Sequence, residues 1–270
     1  MTKDTQFYIV PTPIGNLKDI TLRAIEVLKS VDIIACEDSR TTQKLLNHYE
    51  IKTKLISYHK FNEKERVNLF LNLLSEGKTI ALVSDAGTPL ICDPGSILLE
   101  ELKKNDIKVS AIPGACAITT FLSQIPRISD EFAFVGFLPK AEGQIFNLLQ
   151  KFAHTNMVFY DSPNRLIKTL EYIKKFNPDS KIAIGRELTK IFEEIVIDSV
   201  ENVIGYFKTN TLKGEIVAMV YQKEDEKVSQ SDIIEKIKLL KQLKFSTKDI
   251  SRILATLYDV NKNDVYKLTV

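Results

Sequence analysis

Ten short apolar runs, separated by segments with helical spacing, fill the first 222 positions of this 270-residue chain. Those at 7–10, 32–37, 54–59, 79–85 and 108–113 predict strands, and so does a second series at 132–139, 157–161, 181–188, 194–198 and 214–222. Amphipathic stretches such as 21–30 and 63–76 lie between them; in the latter Val67, Phe70, Leu71 and Leu74 recur at helical spacing. Strands alternating with helices in this way predict mostly parallel sheets covered by helices, an α/β fold. Two sets of five strands predict two α/β domains, 1–113 and 114–224. There is no internal repeat and no low-complexity tract.

The pattern changes after the charged run at 224–227, so 225–270 is expected to be a small helical domain without strands. Over 231–244, Ile233, Ile234, Ile237, Leu240 and Leu243 share one helical face. Ser246 with Asp249 three residues on has the form of an N-cap, and Phe245 with Ile250 that of a hydrophobic staple. Ile250, Ile253, Leu254 and Leu257 share the face of a second helix, and a turn at 259–262 precedes a short third helix with Asn263 as its expected cap.

Composition narrows the class. The chain is 44% hydrophobic and 27% charged, as globular domains are. No run approaches the roughly 18 apolar residues of a membrane span, and no signal-peptide pattern precedes the first strand, so a cytoplasmic protein without a membrane partner is expected. Cys36, Cys92 and Cys116 form no C-x-x-C pair and His48, His59 and His154 are scattered, so no metal site is expected. The net charge is +2, yet residues 229–270 hold 8 Lys/Arg against 5 Asp/Glu, which leaves the remainder at −1. The tail is therefore either a packing or dimerisation appendage or a nucleic-acid module of helix-turn-helix type.

Only 10 residues are glycine, and Gly15, Gly87, Gly95, Gly114 and Gly214 stand beside predicted strand ends. So do seven of the nine prolines: Pro11, Pro13, Pro89, Pro94, Pro113, Pro139 and Pro163. Stiff loops at the carboxyl ends of strands build the edge at which open α/β sheets bind ligands. The loop after the first strand lacks G-x-G-x-x-G, and the chain has no Walker A sequence, which disfavours NAD, FAD and nucleoside triphosphates. A nucleoside ligand without phosphates is compatible. Residues 84–95, Ser-Asp-Ala-Gly-Thr-Pro-Leu-Ile-Cys-Asp-Pro-Gly, are the most specific segment. Within it Asp93 is expected to cap a helix begun by Pro94. Asp85 has no helix to cap, and its functional and structural readings stay open.

These segments, taken with Asp19-Ile20-Thr21, Glu37-Asp38-Ser39-Arg40, Pro113-Gly114-Ala115-Cys116-Ala117, Gly136-Phe137-Leu138-Pro139, Tyr160-Asp161-Ser162-Pro163, Arg186-Glu187-Leu188-Thr189-Lys190 and Lys213-Gly214-Glu215, form an ordered series over nearly the whole chain. The series resembles the bacterial small-subunit ribosomal RNA 2′-O-methyltransferases of the tetrapyrrole methylase superfamily. It departs only at Ser39, Cys116 and Asp161, where Thr, Ser and Glu are commoner. The resemblance implies S-adenosylmethionine in a cleft between the two α/β domains, a homodimer, and as substrate the ribose of a cytidine in the decoding region of small-subunit ribosomal RNA, naked or in the assembled subunit. It implies cofactor contacts at Pro13 and Ile14, at Asp85, Gly87 and Thr88 around the methionine portion, and at Cys116, Ala117, Tyr160, Gly214 and Glu215 around the adenosine. Cys116 also suits a small buried position.

Methyl transfer to a ribose hydroxyl requires alignment and removal of a proton. The candidates at strand ends are Glu187 with Lys190 and Asp38 with Arg40, each pair also readable as a structural ion pair. Arg165 and Lys213 read as phosphate contacts or surface charge. The alternatives on the same fold are methylation of a tetrapyrrole, another small molecule or a protein side chain; a non-catalytic RNA-binding factor would have no need of two proline-stiffened edges.

Overall fold

In the computed structural model the described residues are 5–127, 129–210, 212–223, 230–258 and 260–269. The first sheet and its helices run β1 (Phe7–Ile9), α1 (Leu22–Ser30), β2 (Ile33–Cys36), α2 (Ser39–His48), β3 (Lys54–Ser57), α3 (Glu63–Ser75), β4 (Ile80–Val83), α4 (Ser96–Lys104) and β5 (Val109–Ala111). Its strand order is β3-β2-β4-β1-β5, parallel throughout. Strand side chains alternate between two cores: Tyr8, Ile34 and Ala81 meet Val27 and Leu28 of α1, whereas Phe7, Ile33 and Leu82 meet Phe70 of α3 and Leu98 of α4. Burial on both faces explains the near-continuous apolar runs. Local chemistry starts the helices: the Thr21 hydroxyl accepts the Ala24 N–H, and the Asp38 carboxylate accepts that of Arg40.

After Pro113-Gly114 the chain forms α5 (Ala117–Leu122), β6 (Phe132–Phe137), α6 (Glu142–Lys151), β7 (Asn156–Asp161), α7 (Pro163–Phe176), β8 (Lys181–Arg186), β9 (Glu194–Ser199), α8 (Val200–Thr209) and β10 (Ile216–Val220). The order β6-β7-β10-β8-β9 contains one parallel pair, β6 with β7; the other three are antiparallel. This corrects the expectation of a mostly parallel second sheet. The cause is coverage on both faces. Helices α6, α7 and α8 pack on one, and α5 with Ile14 and Leu188 packs on the other. An antiparallel sheet so enclosed has the unbroken apolar strands that otherwise mark a parallel one.

The chain up to Gln222 is one compact unit, and 223–270 is another. The latter contains α9 (Gln230–Gln242), α10 (Thr247–Tyr258) and α11 (Lys262–Thr269) around Ile233, Ile237, Ile250, Leu254 and Val265. Ser246 and Asp249 form the expected reciprocal cap, with the Asp249 N–H 3.2 Å from the Ser246 hydroxyl. Three details differ from expectation. Leu243 and Leu257 face solvent, the buried place on α10 going to Ser251. Phe245, expected to staple onto Ile250, stays about half exposed. Helix α11 begins two residues earlier than expected, so Asn261 rather than Asn263 caps it, its side chain accepting the Asn263 N–H at 2.8 Å. The charged run at 224–227 and residue 259 of the expected turn lie outside the described residues.

Candidate functional site

A cavity of about 400 Å³ opens between the carboxyl edge of the first sheet and the facing side of the second. The first wall comes from the loops after β1 and β4. Those two strands sit where the chain reverses direction across the sheet, the position at which α/β folds leave a crevice. The two loops are sewn together: Thr12 and Gly87 exchange both backbone hydrogen bonds at 2.9 Å, and the Thr12 hydroxyl donates to the Ser84 carbonyl. Gly87 has φ +79°, a left-handed conformation that disfavours a side chain, and a Cβ there would press on Ile14. The Thr88 hydroxyl reaches across to the Ala115 carbonyl at 2.9 Å, tying this loop to the segment entering α5.

The opposite wall is apolar and aromatic. Tyr160, at the end of β7, packs against Phe134 and Phe137 with ring centroids 5.0 and 5.4 Å apart. Leu188, Ile216 and Val217 continue the surface. Beneath it Asp161 is buried; it accepts hydrogen bonds from Thr169 and the Ser162 N–H and lies 3.7 Å from Arg165. Arg165 donates through one guanidinium nitrogen to the carbonyls of Leu138 and Pro139, both at 2.9 Å, and so braces the wall. Lys213 is exposed.

Ile14, Asp85, Gly87, Thr88, Cys116, Ala117, Tyr160, Gly214 and Glu215, nine of the ten residues singled out for a cofactor, line this one cavity. Pro13 does not line it. Nor do Asp38, Arg40, Glu187 and Lys190, which flank it in two clusters. In the first, Arg40 grips Asp38 with two nitrogens, at 3.1 and 2.7 Å, and holds its carboxyl down at about 2. The Asp38 N–H in turn donates to Asp85 at 3.0 Å. In the second, Glu187 Oε1 accepts from Lys190 Nζ at 2.8 Å and from the Glu215 N–H at 3.0 Å, and Lys190 also reaches Glu215 at 3.0 Å. The Lys190 chain lies over Gly15 and the Glu187 carboxyl over Gly214, where any Cβ would collide with them. Partial burial works to raise the Glu187 carboxyl, but Lys190, the Glu215 N–H and Arg186 outweigh it and hold it below the usual range.

Sequence reasoning missed Asp93, Phe137 and Ser162 as cavity residues. Helix α4 starts at Ser96 with Gly95 as its cap at φ 133°, so Asp93 is not the N-cap. It is half buried in the wall instead, and no cation pairs with it among the described residues. Desolvation raises its carboxyl, Ser84 opposing and Asp85 adding to the rise. Desolvation also raises Asp85, against the Asp38 N–H. The site thus offers two carboxylates on one wall and a greasy, π-rich surface on the other, suited to a ligand that joins a flat heterocycle to a cationic group. Among the described residues no group of three or more His, Cys, Asp or Glu is arranged to hold a metal ion.

Residues 6–204 match the family of Tetrapyrrole (Corrin/Porphyrin) Methylases. The chain is 40% identical over 270 residues to the ribosomal RNA small subunit methyltransferase I of Buchnera aphidicola, covering 97% of this chain and 95% of that one. It is 42% identical over 268 residues to the protein of that name from Escherichia coli O157:H7, covering 97% and 93%. A third relative so named, from Hydrogenobaculum sp., is 43% identical over 229 residues, which make up 84% of this chain but 99% of that shorter one. Among solved structures, diphthine synthase superposes with TM-score 0.65 at 14% identity, covering 80% of this chain and 90% of that one. A cobalt precorrin-4 methyltransferase superposes with TM-score 0.61 at 16% identity, covering 80% and 94%.

Proposed function

This chain belongs to the tetrapyrrole methylase family, and we propose that it transfers a methyl group from S-adenosylmethionine to the ribose 2′-hydroxyl of a cytidine in the decoding region of small-subunit ribosomal RNA. The observation that carries the proposal is the cavity, whose carboxylate wall faces an aromatic one. A cationic nucleoside without phosphates fits those two walls. Relatives named for ribosomal RNA methylation at about 40% identity over nearly the whole chain support the substrate class.

Asp85 holds the ammonium group, its carboxylate aimed by the Asp38 N–H while Arg40 keeps Asp38 fixed. The backbone at Gly87 and Thr88 follows the methionine portion, and Pro13 stiffens the loop that presents Ile14. Cys116, Ala117, Tyr160, Gly214 and Glu215 enclose the adenosine. Bound there, the cofactor supplies an activated methyl group, so the protein provides alignment and proton removal. Glu187 is ionised at neutral pH, and among the described residues both of its hydrogen bonds fall on Oε1, which leaves Oε2 open. That atom accepts the hydroxyl proton while Lys190 steadies the developing alkoxide. The helical tail captures RNA, the divisions at 113/114 and 224/225 separate three domains, and the enzyme works as a homodimer in the cytoplasm. No described helix is long and apolar enough to cross a membrane.

Small subunits lacking the modification, incubated with radiolabelled S-adenosylmethionine and this protein, test the assignment. Label is expected on the 2′-oxygen of one decoding-region cytidine. Label on a base, on protein or on an added tetrapyrrole alone overturns it.

A further inference from the structure

We propose that the second half of α9 and its turn into α10 form the RNA-facing surface of the tail, an inference that rests on the function just proposed. Residues 236–248 contain five lysines and no acidic residue. Lys236, Lys238, Lys244 and Lys248 are exposed and make no ion pair among the described residues. The fifth, Lys241, donates to the Thr269 carbonyl at 2.7 Å and so ties α9 to the end of α11. Attraction of cations to the carboxyl end of a helix reaches only its last turn, which accounts for part of this run and not for Lys236 or Lys248.

The turn is shaped rather than loose. Lys244 adopts φ +62°, the Lys244 N–H donates to the Lys241 carbonyl at 2.9 Å, and the Phe245 N–H donates to the Leu240 carbonyl at 3.1 Å. Leu239, Leu243 and Phe245, exposed by 50%, 62% and 45%, stand among these lysines. Cations spaced along a fixed turn and interleaved with an aromatic ring match a polynucleotide, whose phosphates take the charges and whose bases take the ring. The surface fits a membrane poorly, because the apolar face of α9 (Ile233, Ile237, Leu240) is committed to the tail's core and cannot enter lipid. Helix α11, which would read the ligand in an ordinary helix-turn-helix arrangement, carries mixed charge, and its Lys267 pairs with Asp264 at 3.2 Å.

The test compares the full-length protein with the triple variant Lys238→Gln/Lys244→Gln/Lys248→Gln, with Phe245→Ala, and with Lys262→Gln/Lys267→Gln on α11. Affinity for a small-subunit RNA fragment is titrated against salt. Each phosphate contact contributes roughly 0.7–0.9 to the slope of log affinity on log salt, so the triple variant should lose about two units of slope and bind at least about tenfold more weakly at 0.1 M salt. Phe245→Ala should weaken binding about fivefold or more with the slope unchanged. In methyl transfer both effects should appear in KM for the subunit, with kcat and S-adenosylmethionine affinity within about twofold. Unchanged slope and affinity in the triple variant, while the wild-type protein still binds and methylates, removes the surface and leaves the proposed function standing. Loss confined to the α11 variant likewise transfers recognition there. Binding of the wild-type protein to phosphatidylserine-containing vesicles that the triple variant loses, its RNA affinity intact, makes the patch a lipid site. Failure of the wild-type protein to bind the RNA at all overturns both inferences together.

Discussion

Replacing Gly214 by alanine should uncouple Glu187 from its partners, and the geometry sets the magnitude. Gly214 has φ +93°, a conformation in which a side chain costs about 1 kcal/mol. The new Cβ would also occupy the space of Glu187 Cδ and Oε1. Glu187 cannot simply retreat, since its own backbone is held at φ +51° and its Oε1 accepts from both Lys190 and Glu215. Displacing it breaks both bonds. At about one-fifth side-chain exposure for Glu187, solvent screening leaves about 1 kcal/mol of their combined net worth. The expected loss is therefore about 2 kcal/mol, which for a unit of this size lowers its melting transition by roughly 4–8 °C. A double-mutant cycle measured by urea denaturation isolates the clash. In a Glu187→Ala background there is nothing for the methyl to strike, so Gly214→Ala should cost only the backbone strain, about 1 kcal/mol. Equal cost in both backgrounds would refute the packing of Glu187 on Gly214.

Three further outcomes follow from the same contacts. Glu187→Gln should cut single-turnover methyl transfer at least about tenfold while S-adenosylmethionine affinity stays within a few-fold; an unchanged rate removes Glu187 from proton transfer. Burial raises the Asp85 and Asp93 carboxyls above the ordinary aspartate value, so they lose charge earlier on acidification than exposed aspartates do, and affinity for the cationic cofactor should fall as pH is lowered through their titration. The sign for stability is opposite, because a raised folded-state value costs the fold stability above it and protonation relieves that cost as pH falls. Calorimetry across this range checks the first effect, and Asp85→Asn should flatten it. Ser246→Ala should destabilise the tail by about 1 kcal/mol through loss of the α10 cap and leave the melting of the larger unit in place, as two-transition calorimetry would report.

Much of the α/β body was legible because its strands announce themselves by composition. The runs around Ile33–Cys36 and Ile80–Val83 are buried on both faces and contain nothing polar. Strand direction was not legible, for burial on both faces erases the alternation that separates antiparallel from parallel pairing, and β7, β10, β8 and β9 show the consequence. At the cavity, glycine and proline placement identified the loops, whereas Asp93 was read from its immediate neighbours as a cap when its surroundings are set by Ser84 and Asp85, far from any local rule. Phe137 stood in one of the motifs of the ordered series, but its place in the cavity wall depends on its partner Tyr160 across the β6–β7 pair, which no local pattern gives. In the tail, Leu257 satisfied the helical period yet lost its place to Ser251, which is buried because its hydroxyl bonds the Thr247 carbonyl and faces that of Thr269. Periodicity counts apolar residues and is blind to a polar one that brings its own partner.

The private core of the last three helices has an evolutionary and an engineering consequence. A block that holds itself together can be gained, lost or exchanged at the gene level as a unit. A homologue shorter by roughly such a block keeps 43% identity to this chain. On the role proposed for the tail, grafting a different three-helix block onto the same body would redirect an unchanged chemistry to a new nucleic-acid address.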